Sequence, residues 1–389
     1  MKTVFAEPSK PKSPGLTEKL EQFLLTRPET PFLAVDLEVI EAKYREFSRS
    51  FPASSIFYAV KANPSPEVVA SLASLGANFD VASCPELEMC LALGVDPARL
   101  SYGSTIKKPA DIAHAFARGV RRFAVDSEAE LRKLSVHAPS SDVICRLQTT
   151  GQNSDWPLSK KFGCDLEMTA ELLLLARELG LKPSGISFHV GSQQSDPTQW
   201  TGPLKDAAGL FRKLESEGVA LDTVNIGGGF PVPYERAVPP ISRFAEVIRQ
   251  SLDEAFGRSL PQLMLEPGRA LVAEAGVIQT EVVLVSWKSR LAHTRWVYLD
   301  VGKFGGLAET LDESIKYELR TSRNGKLGPV VIAGPTCDSA DILYEKSGYQ
   351  LPLDVECGDR FEILNTGAYT SSYASVGFNG FPPLRTICL

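Results

Sequence analysis

The chain has 389 residues, 43% hydrophobic and 23% charged, with a formal charge of -6 and a pI near 5.5. That is the composition of a globular protein long enough for two cores, and without a Lys/Arg-dense run it argues against nucleic acid or anionic membrane as the main partner. A small cationic substrate is compatible with the negative balance. Met1 to Leu20 is polar, holds three prolines and carries no apolar signal core, and no run is long enough to span a bilayer, so a cytoplasmic protein is expected. The seven cysteines, Cys84, Cys90, Cys145, Cys164, Cys337, Cys357 and Cys388, form no CxxC pair. They suggest neither a disulfide framework nor a zinc site, and no metal is expected. Most are expected to be buried small hydrophobes, with Cys337 the exception.

Residues 1–30 read as a mobile tail leading into one short amphipathic helix, Leu16 to Leu25. From Pro31, β-rich runs alternate with helix-length spans. The predicted strands are Ile56–Ala62, Asn78–Ser83, Leu100–Gly103, Phe123–Ser127, Val143–Thr149, Gly185–Gly191, Thr223–Gly229 and Leu263–Gly268. Between them Pro66–Leu75, Pro85–Leu93, Ala110–Ala117, Glu128–Leu134, Met168–Leu179, Leu204–Leu214 and Ala237–Phe256 carry apolar residues at helical spacing. Eight such repeats suit a (β/α)8 barrel, and periodicity alone suits a doubly wound open sheet as well. After Gly268 the segments Gly276–Ser286, Thr294–Leu299, Val330–Ala333 and Arg360–Leu364, set among Gly/Pro/Asp turns, predict a second, all-β domain. The expected domains are residues 31–269 and 270–389.

Candidate chemistry collects at the carboxyl ends of the predicted barrel strands, where such barrels keep their active sites. In FYAVKANP an apolar strand delivers Lys61, which reads as an amine nucleophile able to form a Schiff base, or as a strand-end lysine reaching solvent. Asp80 and Arg146 occupy similar strand-end positions and serve equally as structural charges. His189 in SFHVGSQ is one of four histidines and lies in an apolar strand, the usual place of a satisfied core histidine. Gly227, Gly228 and Gly229 allow backbone N–H groups to approach an anion, or make a flexible turn. Glu266 and Arg269 in LEPGR follow the eighth strand. In GPTCDSAD, Gly334 and Pro335 hold Cys337 and Asp338 on a loop.

Taken together, SFHVGSQ, NIGGGFP, LEPGR and GPTCDSAD resemble the pyridoxal-phosphate decarboxylases of the alanine-racemase-like fold, the group that holds ornithine, arginine and diaminopimelate decarboxylases. The resemblance runs from about Pro31 to the C-terminus. Within that group, GISFHVGSQQ, DVGKFGGLAET and GPTCDSADILYE are most similar to the bacterial ornithine and lysine/ornithine decarboxylases. The fold this implies is a TIM-like (β/α)8 barrel with a second, all-β barrel domain, that of a fold type III pyridoxal-phosphate enzyme. It decides for the barrel over the open sheet.

The resemblance also implies roles. Lys61 carries pyridoxal 5'-phosphate, Asp80 lies near it, Arg146 lies on the pyridine side, and His189 stacks on the ring. Ser192, the Gly227–Gly228–Gly229 run, Arg269 and the hydroxyl of Tyr369 bind the phosphate. Glu266 faces the pyridine nitrogen and keeps it protonated, which suits decarboxylation, whereas alanine racemases place an arginine there. Cys337 protonates the substrate's α-carbon and Asp338 binds its distal amine. Diaminopimelate decarboxylases carry a glutamate after this cysteine, so Asp338 favours a plain diamine end. Asp300 and Phe378 are placed on the substrate side. Eukaryotic-type ornithine decarboxylases carry their acid at the position of Val301, so the acid at Asp300 is one residue off and turned to the other face. The expected activity is decarboxylation of L-ornithine to putrescine in polyamine biosynthesis, with L-lysine to cadaverine beside it, by a homodimer with shared active sites. An arginine or diaminopimelate decarboxylase and a non-catalytic regulator-binding homologue are the alternatives.

Overall fold

The computed structural model describes residues 16–151, 154–156 and 161–389, so the expected tail before Leu16 lies outside the described residues. It divides into two compact units, one of Leu37–Pro231 with Pro239–Val272, the other of the residues up to Asp36 with Val232–Val238 and Ala273–Leu389.

The first unit is a closed barrel of eight parallel strands. They are β1 (Ser54–Ala59), β2 (Asn78–Val81), β3 (Leu100–Tyr102), β4 (Arg122–Val125), β5 (Asp142–Arg146), β6 (Lys182–Ser187), β7 (Thr223–Asn225) and β8 (Gln262–Leu265). Each pairs with its successor, and β8 returns to β1 with Leu263 opposite Ser54 and Leu265 opposite Ile56. That last pairing separates the barrel from an open sheet. Helices at Pro66–Ser74, Cys84–Ala92, Pro109–Ala117, Glu128–His137, Leu166–Glu178, Thr201–Ser216 and Ile241–Phe256 fill the predicted spans. Proline opens the first turn of three of them, where its missing N–H has no intrahelical partner to lose. A further helix, Leu37–Ser50, precedes β1. Its buried Ile40, Tyr44 and Phe47 stand at helical spacing, although this helix is not among the predicted spans.

One expectation changes at the end of β1. The strand stops at Ala59, and Val60–Ala62 form a single 3-10 turn that carries Lys61. The Ala59 N–H donates to Pro267 O at 3.1 Å, after which the chain bends away, and Asn63 fastens the turn by accepting from Tyr58 Oη at its carbonyl (2.9 Å) and from the Ser65 N–H and hydroxyl at its side chain (3.1 and 2.7 Å).

An aromatic cluster sits behind the glycine run. Phe230, directly after Gly229, packs edge-on to Phe47 at 5.3 Å and stacks on Trp200 at 5.2 Å, with Phe244 and Phe51 beside it. The Trp200 indole donates to Ile226 O at 3.2 Å, so the core also grips the residue before Gly227.

The second unit is a nine-stranded, mostly antiparallel sheet whose longest strand is Gly276–Ser286. This strand pairs with Arg295–Leu299 and Arg360–Leu364, and also with Phe32–Val35, which pairs in parallel with Arg385–Cys388. Phe32–Val35 therefore belongs with the sheet although it falls inside the 31–269 span expected for the barrel. All four of its residues are buried, a pattern that identifies a strand without identifying its sheet. Cys90, Cys145 and Cys164 are buried, Cys84 and Cys388 half-buried, and Cys357 is exposed along with Cys337, because it lies on a surface turn. Among the described residues no helix is long and apolar enough to cross a membrane.

Phe230→Ala would empty the centre of the aromatic cluster. A loss of about 3–5 kcal/mol in unfolding free energy is expected, measured by urea denaturation of the full chain. A loss under about 1 kcal/mol would show that the cluster refills the space.

Candidate active site

Seven loops and turns at the carboxyl ends of the barrel strands supply the site. Lys61 Nζ stands 3.3 Å from Asp80 Oδ2, the lysine side chain about half exposed and the aspartate 3% exposed. The other oxygen, Asp80 Oδ1, is buried without a hydrogen-bond partner among the described residues. A Cβ added at Gly103 would lie 1.9 Å from that oxygen, so the glycine makes room for the carboxylate. Glu86 lies close by. It accepts the Ala82 N–H at 2.7 Å, and burial, then the charge of Asp80, push its carboxyl up.

The three glycines meet backbone on every side. An added Cβ would come within 2.3 Å of Phe188 O at Gly227, 2.5 Å of Glu266 O at Gly228 and 2.3 Å of Gly191 O at Gly229, and Gly227 and Gly229 hold positive φ of 67° and 97°. Glycine is thus required by the packing of the β6, β7 and β8 loops alone. The Gly227 N–H donates to Asn225 Oδ1 at 2.9 Å, while those of Gly228 and Gly229 meet no acceptor among the described residues. Arg269 is buried and donates from Nη2 to Ser192 Oγ at 3.3 Å. Two backbone donors, a hydroxyl and a guanidinium thus offer an anion site.

His189 Nδ1 accepts the Gly191 N–H at 3.1 Å. Burial first, then the charges of Arg146 and Lys61, hold its imidazole down to about 3, so it is neutral and any ring proton sits on Nε2. The Arg146 guanidinium lies over the Phe162 ring at 5.3 Å. Glu266 accepts from Asn225 Nδ2 at 2.5 Å. Burial pushes its carboxyl up to about 7, with the negative charge of Asp80 adding to the rise and Lys61, Asn225 and Arg146 opposing it.

An anion cradle, an amine on a neighbouring turn, an unsatisfied buried carboxylate oxygen and a second carboxylate beside it are the donor and acceptor set that a phosphorylated pyridine aldehyde requires. Residues 37–273 match the family described as "Pyridoxal-dependent decarboxylase, pyridoxal binding domain". The chain belongs to this family. It is 34% identical to the lysine/ornithine decarboxylase of Selenomonas ruminantium, over 96% of this chain and 93% of that one. It is 33% identical to the ornithine decarboxylase of Schizosaccharomyces pombe, over 92% and 83% of the two chains. The solved lysine/ornithine decarboxylase of Vibrio vulnificus complexed with putrescine is similar with a TM-score of 0.86 at 32% identity, covering 96% of this chain and 99% of that one. The protein is accordingly a pyridoxal-phosphate-dependent amino-acid decarboxylase, of the (β/α)8 barrel and β-domain fold.

The remaining candidates lie in the sheet unit of the decarboxylase. Cys337 and Asp338 are exposed neighbours on one loop. The Cys337 N–H donates to Asn379 Oδ1 at 2.8 Å, and the adjacent Phe378 packs on Phe304 with ring centres 4.9 Å apart. Buried Asp341 secures the base of the loop by accepting the N–H of Lys303 (2.7 Å) and the N–H and hydroxyl of Thr336 (3.1 and 2.7 Å). Asp300 and Phe378 line a cavity of about 530 Å³ with Val301, Phe304 and Thr336. The Asp300 Oδ1 atom is engaged by the Thr280 hydroxyl at 2.5 Å and the Glu281 N–H at 2.9 Å. Tyr369 is half-buried, with a left-handed backbone at φ 55°. Asn225, Glu86, Asn379 and Asp341 went unassigned in the sequence. Asn225 and Asp341 stand inside the motifs NIGGGFP and GPTCDSAD, but their value lies in partners that only the fold supplies.

The neutral imidazole has a pH signature in the apoenzyme. An unfolded histidine titrates near 6.5 and the folded one near 3, so the unfolded chain takes up the proton first and His189 costs stability as pH falls below about 6.5. Between about pH 6.5 and 5, wild type should lose about 1.5 kcal/mol more unfolding free energy than His189→Gln, with the two running parallel above about pH 7.5. Parallel curves throughout would mean that the folded imidazole accepts the proton.

Proposed function

We propose that the protein decarboxylates L-ornithine to putrescine and carbon dioxide, with L-lysine accepted as a second substrate and converted to cadaverine. The observation that carries this reading is the loop on which an exposed thiol, Cys337, and an exposed carboxylate, Asp338, stand side by side on a base secured by Asp341. One carboxylate matches one distal ammonium. The enzymes named above, which act on lysine or ornithine, support the same choice over arginine or diaminopimelate. Lys61, His189, Glu266 and Cys337 are all present, which speaks against a non-catalytic binder.

When bound, the pyridoxal ring withdraws electrons from the bonds at the substrate's α-carbon. Lys61 would supply the amine that anchors the cofactor and would yield that place to the substrate's α-amine. The N–H groups of Gly228 and Gly229, Ser192 and Arg269 hold the phosphate, with the Tyr369 hydroxyl proposed to join them. Glu266 would hold a proton on the ring nitrogen, and Asp80 and Arg146 would belong to the same cofactor pocket. His189, being neutral, would pack on the cofactor ring without competing for the phosphate's charge. Cys337 gives a proton to the α-carbon once the carboxylate has left, and Asp338 pairs with the distal ammonium, aided by Phe378 and Asp300 on the substrate side.

Substrate choice is tested with ornithine, lysine, arginine and diaminopimelate, read as released carbon dioxide. A hydrophobic pocket distinguishes one methylene by only about 1–3 kcal/mol, so lysine should fall within roughly 10- to 200-fold of ornithine in kcat/KM. Turnover of arginine or diaminopimelate above both would overturn the assignment.

The enzyme is further proposed to be a homodimer in which Lys61, His189 and Glu266 of one copy work with Cys337 and Asp338 of the other, residues that belong to different units of the chain. Lys61→Ala and Cys337→Ala should each be inactive by orders of magnitude. Mixed with subunit exchange, about half the dimers are hybrids carrying one native site of two, so roughly a quarter of wild-type activity should return. Mixtures that exchange subunits and stay inactive would exclude the shared site.

A further inference from the structure

We propose that Asn225 is a positioning residue for the decarboxylation, bridging the first glycine of the phosphate loop to Glu266 and thereby setting the direction and ionisation in which that carboxylate meets the ring nitrogen. The inference rests on the role given to Glu266 above. Asn225 is the last residue of β7 and is 3% exposed. Its two contacts fix its amide orientation without ambiguity. The Gly227 N–H can only donate, so the atom 2.9 Å away must be the amide oxygen, and the amide nitrogen must then face Glu266 Oε1 at 2.5 Å. The same turn holds the glutamate a second time, because the Glu266 N–H donates to Gly227 O at 2.9 Å.

A donor aimed at a half-buried carboxylate favours its ionised form. The other groups facing Glu266 are divided. Burial and Asp80 on the β2 end favour the neutral acid, whereas Lys61 on the β1 turn and Arg146 at the β5 end favour the anion. His189, held neutral, brings no charge. Asn225 belongs with the groups that favour the anion, and it reaches the carboxylate through a short hydrogen bond. Arginine, lysine and aspartate also have cofactor duties; the amide of Asn225 is committed wholly to Gly227 and Glu266.

Two variants separate tuning from anchoring. Asn225→Asp keeps an oxygen for the Gly227 N–H but replaces the donor to Glu266 with an acceptor, whereas Asn225→Ala removes both contacts. Infrared difference spectra of the apoenzyme from about pH 5 to 9 would follow the protonated carboxyl band of Glu266, identified by its loss in Glu266→Gln. The wild-type midpoint is expected near 7. It should rise by about 1–2 pH units in Asn225→Asp and also rise in Asn225→Ala, while thermal unfolding shows both variants folded. A wild-type midpoint in folded Asn225→Asp would overturn the proposal and leave Asn225 a loop anchor. A raised midpoint together with wild-type turnover in Glu266→Gln would overturn the catalytic role through the reading on which it rests, with the contact itself intact.

Discussion

The pairing of β8 with β1 closes the barrel, and the site depends on that seam. It spans only three residue pairs, Leu263 with Ser54 through Leu265 with Ile56, and continues as the hydrogen bond from the Ala59 N–H to Pro267 O. On one side of it the chain turns through Lys61; on the other it leaves through Glu266. A slip of one residue along this seam would turn alternate side chains to the opposite face and shift the lysine turn relative to Glu266. Closure therefore does more than remove sheet edges. It brings the amine of Lys61 and the carboxylate of Glu266 from distant parts of the chain to adjacent strand ends.

The glycine run shows how one feature meets two physical demands. Phe188, Gly191 and Glu266 present carbonyls so close to Gly227, Gly228 and Gly229 that no side chain fits, which would call for glycine in a protein that bound nothing. The N–H groups of Gly228 and Gly229 meet no acceptor among the described residues, and Arg269 and Ser192 are two further donors, bonded to each other. Phe230 and the Trp200 indole tie both ends of the run to the aromatic core. Rigidity of the anion cradle is thus a consequence of hydrophobic packing, so that its donors need little ordering when a phosphate arrives.

In the sheet unit the same economy appears in Asp341. A buried carboxylate accepting two backbone N–H groups and a hydroxyl secures both Lys303 and Thr336, and Gly302 and Gly334 leave it the room, since an added Cβ at either would lie within 2.4 Å of at least one of its oxygens. Cys337 and Asp338 then stand exposed on a loop with a firm base. Exposure leaves their chemistry open to a substrate, and the fixed base limits the entropy lost in using it.

Local patterning was enough to read the eightfold alternation, the position of each barrel strand to within a few residues, the clustering of Lys61, Asp80, Arg146, His189, Glu266 and Arg269 at strand ends, and, through short motifs, the resemblance to a decarboxylase family. These follow from local periodicity and from short motifs, which record what each residue faces. Tertiary structure decided what local pattern cannot encode, namely which distant groups become partners. Periodicity was the same for an open sheet; the family resemblance favoured the barrel, and the β8–β1 pairing shows the closure directly. Phe32–Val35 was not among the predicted strands and took its place in the sheet unit through Gly276–Gln279. Lys61 proved to sit on a 3-10 turn because Ala59 was already bonded to Pro267. Asn225 carried no assignment in the sequence, and only the fold placed Gly227 on one side of its amide and Glu266 on the other. A buried polar side chain is defined by its partners, and those lie as far along the chain as the barrel's closure can reach.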